Sequence, residues 1–256
     1  MRQKEKLKEN WDIFWDSEET DAIFGEDFIL NSHQGKITFD ILKKCKNNIS
    51  ILEAGCGLGN WVILFEKLGF NAYGIDISPK SLQKADILRR KNGLKEKFVL
   101  GDIRITPFKN EVFDVVVSYG VIEHFPNSRK ALKDFYRILK PGGICFITTP
   151  NPFCFHRLIG RHILNITKSS KLGYVGYEDA YTPKQLCVML TDSGFKCIDS
   201  GILTGGMGSL FGIFWPMIPL IGKPIFNFFL KLGHFIETRQ KVVGAGSFAV
   251  ACKAGP

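Results

Sequence analysis

The sequence predicts an α/β fold, a doubly wound, seven-stranded and mostly parallel sheet, and three observations carry that prediction. The run Ile49-Ser50-Ile51-Leu52-Glu53-Ala54 is apolar enough for a buried strand and leads into Gly55, Gly57 and Gly59, which read as a sharp strand-to-helix turn. Strand-like and helix-like segments then alternate as β-α-β-α-β-β-α-β, the rhythm that parallel crossovers produce. The run Phe113-Asp114-Val115-Val116-Val117-Ser118-Tyr119 is apolar on both faces, as a central parallel strand must be.

Taken in order, residues 1–48 supply N-terminal helices. Leu7, Trp11, Phe14 and Trp15 fall on one helical stripe within residues 4–21, and a second helix over 33–46 turns Ile37, Ile41 and Leu42 inward. Two readings stand for the Trp-rich stripe, plain packing or part of a lid. After the glycine turn come a helix over 61–68 closed by Gly69, a strand over 71–78 carrying Asp76, and a helix over 79–91 with Ser78 as N-cap and Pro79 first inside. Asp76 lies 17 residues beyond Gly59, a strand-helix-strand distance that lets its carboxylate reach a ribose whose other end sits at the glycine turn. A strand and turn over 98–103, the strand over 113–119 and a helix over 128–139 follow. Lys140-Pro141-Gly142-Gly143 then breaks the chain before a strand over 144–149. A substrate-side insert occupies 150–181, and a helix over 182–193 and strands over 195–201 and 246–252 complete the sheet. The core therefore comprises 49–201 and 243–256, with an apolar insert at 202–242.

Composition narrows the function. The chain has 256 residues, 45% apolar and 23% charged, which fits one globular core. Its seven cysteines are odd in number and form no C-x-x-C pair, so neither a disulfide frame nor a zinc knuckle is expected, and a reducing cytoplasm fits. The start Met1-Arg2-Gln3-Lys4-Glu5-Lys6 has no apolar run of the secretory type. The net charge is +9, and residues 201–256 carry five Lys or Arg against one acid, so the basic end is also the oily end. No carboxylate set or i, i+4 histidine pair suggests a metal site, and none is expected.

Five segments stand in a telling order: Glu53-Ala54-Gly55-Cys56-Gly57-Leu58-Gly59, Gly74-Ile75-Asp76-Ile77-Ser78, Gly101-Asp102-Ile103, Phe113-Asp114-Val115-Val116 and Leu139-Lys140-Pro141-Gly142-Gly143. Together they resemble the ordered motifs of class I S-adenosylmethionine-dependent methyltransferases with a Rossmann-like fold. Val121-Ile122-Glu123-His124-Phe125 and Thr149-Pro150-Asn151-Pro152 resemble the branch of ubiquinone- and menaquinone-biosynthesis enzymes. The resemblance implies S-adenosylmethionine as cofactor. It puts the methionine end against Glu53, Gly55, Cys56, Gly57 and Gly59, and the ribose on Asp76. It places the adenine amine on Asp102 with Ile77 and Ile103 over the ring, and the methionine amine near Ser118 and Tyr119. A nicotinamide dinucleotide and an oxidoreductase form the rival reading, but that fingerprint is G-x-G-x-x-G and the third glycine here comes one residue early. A non-catalytic module that only binds the cofactor is a third reading.

Methyl transfer is an in-line displacement that needs close positioning and exclusion of water. A hydroxyl acceptor must also lose its proton, and His124, five residues past Tyr119, stands where a general base would, with Glu123 able to orient it. The bland alternative is that His124 only shapes the loop. The (Asn/Asp)-Pro-Pro-(Tyr/Phe) signature of many nucleic-acid amino methyltransferases is absent after the fourth strand, where Ser118-Tyr119-Gly120-Val121 stands, so nucleic acid is not the expected partner. Insert 150–181, with Phe153, Phe155, Leu158, Ile159 and Ile163 beside Arg157, Arg161 and His162, suits a gate for a greasy acceptor. From Ser200 to Gly222 no residue is charged, yet glycines and two prolines interrupt the stretch and the final strand must return to the same side, which argues against a membrane span. Two readings remain for 202–241: a peripheral contact with an anionic membrane surface, at the inner face of the cell membrane, or extra core and a homodimer face. The acceptor that suits the first is a small hydrophobic or lipid-like molecule such as a quinone precursor.

Overall fold

The computed structural model describes residues 2–15, 26–45, 48–95, 97–154, 178–203 and 246–255. Seven strands form one sheet: β1 (Ser50–Ala54), β2 (Asn71–Asp76), β3 (Phe98–Leu100), β4 (Phe113–Tyr119), β5 (Leu139–Pro150), β6 (Phe195–Leu203) and β7 (Gly246–Lys253). Their order is β3-β2-β1-β4-β5-β7-β6, with β7 alone antiparallel to its neighbours. The expected doubly wound, mostly parallel sheet is therefore present. The order reverses between β1 and β4, and in an open α/β sheet such a reversal leaves a crevice beyond the carboxyl ends of the two strands.

Helices cover both faces. α3 (His33–Lys43) and α4 (Asn60–Lys67) bury Ile41, Leu42, Val62, Leu64 and Phe65 against Ile51, Val115 and Val117, while the shorter α2 (Glu26–Asn31) adds Ile29. On the opposite face, α6 (Ser128–Ile138) and α7 (Pro183–Asp192) bury Leu132, Phe135, Ile138, Leu186 and Leu190 against Leu52, Val116 and Ile147. The alternation of these strand residues between faces follows from the two-residue period of a strand. α1 (Arg2–Trp15) and α5 (Pro79–Lys91) complete the described helices.

Four expectations need correction. β5 begins at Leu139, the last residue of the expected helix, and runs through the segment read as a break, because Leu139 pairs with Phe113 of β4 and the register then shifts between Phe113 and Val115. The bend is taken up at Gly142, whose φ of 78° suits glycine. α2 was not anticipated. α3 stops at Lys43, short of position 46. Finally, Cys187 and Cys197 form a disulfide between α7 and β6: a spacing of 10 residues across a helix-strand hairpin brings their Cα atoms to 5.5 Å, although it matches no recognised cysteine motif. Cys45, Cys56, Cys145 and Cys252 are free. Most of insert 150–181 and nearly all of 202–242, with the membrane-surface and dimer readings attached to it, lie outside the described residues. Among the described residues no helix is long and apolar enough to cross a membrane, and no cluster of His, Cys, Asp or Glu is arranged to hold a metal.

Candidate functional site

The carboxyl ends of β1, β2 and β4 converge on the glycine turn. Gly55 takes a φ of 85° and Gly57 a φ of 50°. A Cβ at Gly55 would sit 2.4 Å from the Val121 side chain, and one at Gly57 would sit 2.6 Å from Cζ2 of Trp15. Both conformation and space therefore demand glycine. The turn is closed by two N–H groups, from Gly55 and Cys56, donated to the carbonyl of Ile75 at 2.8 and 3.0 Å.

Two carboxylates flank the turn from inside. Glu53, the penultimate residue of β1, is 4% exposed; its carboxylate accepts the backbone N–H of Val62, and its Oε2 has no hydrogen-bond partner. Asp76, the last residue of β2, accepts the Gly57 N–H on Oδ2 and the Ser78 N–H on Oδ1, both at 2.9 Å. Burial pushes both carboxyls up from their ordinary range, Glu53 well above it; the backbone donors oppose the rise, and the Asp76 charge adds to it at Glu53. Burial likewise raises the Cys56 thiol well above its usual value, with the Asp76 and Glu53 charges adding to the effect, so Cys56 is no nucleophile.

An anion is a poor fit here. A pyrophosphate would meet two buried acids, and the Gly57 N–H that would cradle it is already spent on Asp76. A cationic ligand with hydroxyls fits, because it supplies the positive charge and donors that a desolvated carboxylate oxygen lacks. The residues present thus suit S-adenosylmethionine, whose ammonium and sulfonium are cationic and whose ribose carries two hydroxyls.

The remaining expected residues lie around this cradle. Asp102 is buried and gripped by Arg104: Oδ1 accepts the Arg104 backbone N–H at 2.9 Å and Nε–H at 3.0 Å, and Oδ2 accepts an Nη2–H at 2.8 Å. The guanidinium lies 4.8 Å from the centre of the Phe125 ring. Ile77 is half-buried, whereas Ile103 belongs to the core. Ser118 donates its hydroxyl to the Ala54 carbonyl at 2.9 Å, tying β4 to the end of β1. Tyr119 shares a 2.8 Å hydrogen bond with Thr38 of α3 and packs against Trp61 and Phe146, so its side chain turns into the α3–α4 layer. Beyond β4, a 3-10 turn over Ile122–His124 presents Glu123, 1% exposed, and His124, 8% exposed. The Glu123 carbonyl accepts the Asp179 N–H at 2.9 Å.

Sequence reasoning named neither Asp12 nor Arg104, and it left the Trp-rich helix between packing and lid. α1 lies over the cradle: Asp12 Oδ1 accepts from Ser78 Oγ at 2.5 Å, Trp15 packs on Gly57, and Trp11 meets the His124 ring edge-on at 4.9 Å. Only the i, i+4 spacing of Trp11 and Trp15 signalled that both rings share one side of the helix.

The two acids make a stability prediction. A carboxyl whose folded pKa is raised costs nothing below its unfolded pKa, and the cost appears as pH rises through the folded value. Glu53→Gln removes that charge and keeps an acceptor for the Val62 N–H. The ligand-free variant is expected to gain about 1 kcal/mol at pH 8, roughly 2–4 °C in Tm, with the gain vanishing near pH 4. Thermal melts at the two pH values check this; a variant that melts below wild type at pH 8 contradicts the assignment.

The chain is similar to known proteins over most of its length. The ubiquinone biosynthesis O-methyltransferase of Rickettsia canadensis is 29% identical over 201 residues, spanning 75% of this chain and 80% of the relative. The enzyme of the same name from Rickettsia typhi is 26% identical over 253 residues, 96% of each chain. Among solved structures, a SAM-dependent methyltransferase of Methanosarcina mazei superposes with a TM-score of 0.59 at 21% identity, covering 85% of this chain and 98% of its own. Phosphoethanolamine N-methyltransferase 2 of Haemonchus contortus, solved in complex with S-adenosyl-L-methionine, gives a TM-score of 0.60 at 20% identity, covering 95% of this chain and 60% of its own. These two show the fold. The family model described as a methyltransferase domain matches residues 34–200, more than half the chain. A match of that extent shows the family: this chain belongs to the methyltransferase domain family and is a class I enzyme that uses S-adenosylmethionine.

Proposed function

We propose that the enzyme methylates a phenolic hydroxyl on a hydrophobic, quinone-related acceptor. The observation that carries the donor side is the buried Glu53 Oε2 without a hydrogen-bond donor, beside Asp76 at the glycine turn. On this reading Glu53 meets the cationic methionine end over Gly55, Cys56, Gly57 and Gly59, Asp76 takes the ribose hydroxyls, and Asp102 with Ile77 and Ile103 receives the adenine. The main chain at Ser118 and Tyr119 borders the methionine amine, their side chains being committed elsewhere.

S-adenosylmethionine supplies, when bound, a methyl group on a sulfonium that leaves as a neutral thioether. The chain's own residues do the rest. Buried carboxylates hold the donor, α1 keeps water from its upper side, and His124 takes the hydroxyl proton as the acceptor oxygen bonds to the methyl carbon. The acceptor class is supported by the names of relatives: the two ubiquinone biosynthesis O-methyltransferases, and the 2-methyl-6-phytyl-1,4-hydroquinone methyltransferase of Synechocystis, 35% identical over 103 residues.

Two measurements test the proposal. Titration calorimetry is expected to show micromolar-range binding of S-adenosylmethionine and its homocysteine product, as enzymes hold substrates near that range. Transfer of labelled methyl is then expected to a catechol or hydroquinone bearing a short isoprenoid tail, and not to the same ring with its hydroxyls already methylated. Binding without transfer to either phenol would reject the acceptor and leave the cradle assignment standing.

A further inference from the structure

We propose that Trp11 is a positioning residue for His124, delivered by a helix that lies outside the matched domain. The inference rests on the reading of His124 as the base. The family model begins at residue 34, so α1, at Arg2–Trp15, lies ahead of the matched residues. Its placement over the site is fixed at three points. Asp12 Oδ1 accepts from Ser78 Oγ at 2.5 Å and from the Lys80 N–H at 3.5 Å, Trp15 fills the space left open above Gly57, and Leu7, in the middle of the helix, packs on the core. These anchors set the rotation of the helix. Trp11 and Trp15, one turn apart, stack with ring centres 6.2 Å apart and planes 23° apart, so the anchored Trp15 holds Trp11 in turn. The Trp11 indole then meets the His124 imidazole at 4.9 Å with an interplanar angle of 88°.

That contact bears on how the His124 ring is aimed. It closes a single 3-10 turn, and the outer torsion of a histidine is broad and roughly two-fold. A base, however, must aim one ring nitrogen within hydrogen-bond reach of the acceptor hydroxyl. An edge-to-face aromatic contact favours one ring plane over its neighbours. Trp11 thereby restricts the plane in which the imidazole lies, without touching the transferred proton.

The test uses the full-length chain and the phenol that wild type methylates in the assay above. Trp11→Ala is expected to lower kcat about tenfold, because small misplacements of a reacting group carry losses of that order or more, with KM for S-adenosylmethionine within twofold of wild type. Trp11→Phe, which keeps an aromatic edge, recovers most of the rate. The double variant Trp11→Ala/His124→Gln is no slower than His124→Gln alone, since an absent base cannot be misaimed. Independently of turnover, the His124 ring-proton NMR signal, assigned by its loss in His124→Gln, shifts in Trp11→Ala as the indole ring current disappears. A signal that stays put, a Trp11→Ala enzyme as fast as wild type, or losses that multiply in the double variant would each overturn the proposal while His124 stands as base. A His124→Gln enzyme as fast as wild type removes the base and Trp11's role with it.

Discussion

His124→Gln is expected to lower kcat by about two to four orders of magnitude while leaving S-adenosylmethionine affinity within about threefold, the range by which a positioned general base accelerates proton removal. The split follows from the geometry. His124 sits beyond β4 in the turn Ile122–His124, whereas the two buried acids of the cradle, Glu53 and Asp76, stand at the ends of β1 and β2. Glutamine preserves much of the size and can still accept or donate a hydrogen bond, so the loop survives, but it cannot take up a proton at neutral pH. Single-turnover rates at saturating donor, read beside calorimetric affinity, make the measurement. A variant with weakened donor binding and an intact single-turnover rate would move His124 to the donor side and end its assignment as base.

Much of the fold was legible because its signals are local. Glycines at alternate positions after an apolar run, the N-cap Ser78 with Pro79, and the doubly apolar β4 each announce an element within a few residues of chain. Where sequence misled, a distant partner decided. Pro141, Gly142 and Gly143 carry every mark of a break, yet Leu139 pairs with Phe113 and draws the segment into β5. α2 spans six residues, too few to show a helical period. The Cys187–Cys197 bond depends on a hairpin that no spacing rule encodes. The site divides in the same way. Asp76 was visible from its strand-end position, and Glu53 and Asp102 through the family resemblance, but the grip of Arg104 on Asp102 and the placing of Asp12 on Ser78 arise from side chains that find each other only in the fold. The pairing of the Tyr119 hydroxyl with Thr38 of α3 is likewise set by a distant partner.

Asp76→Ala is expected to weaken S-adenosylmethionine about a hundredfold, and Asp76→Asn nearly as much. Losing charged hydrogen bonds to a ribose accounts for about 1.5–3 kcal/mol, which is roughly 10- to 150-fold in affinity. A second effect adds to it. The two carboxylate oxygens each hold a backbone N–H, from Gly57 and from Ser78. Alanine releases both, freeing the glycine turn from the start of α5. Asparagine offers one acceptor oxygen and turns an NH₂ group toward the other N–H, so the nominally conservative change also breaks the pair. The buried charge meanwhile opposes folding, since burial raises the Asp76 carboxyl above its ordinary range. Both variants are therefore expected to stay folded at pH 8, where the ionised acid costs most. The discriminating measurement is calorimetry with S-adenosylhomocysteine and with its 2′-deoxy analogue. Wild type should prefer the ribose form by about tenfold, and both variants should lose that preference. Equal preference across all three proteins would detach Asp76 from the ribose and leave it only as the clasp of the glycine turn.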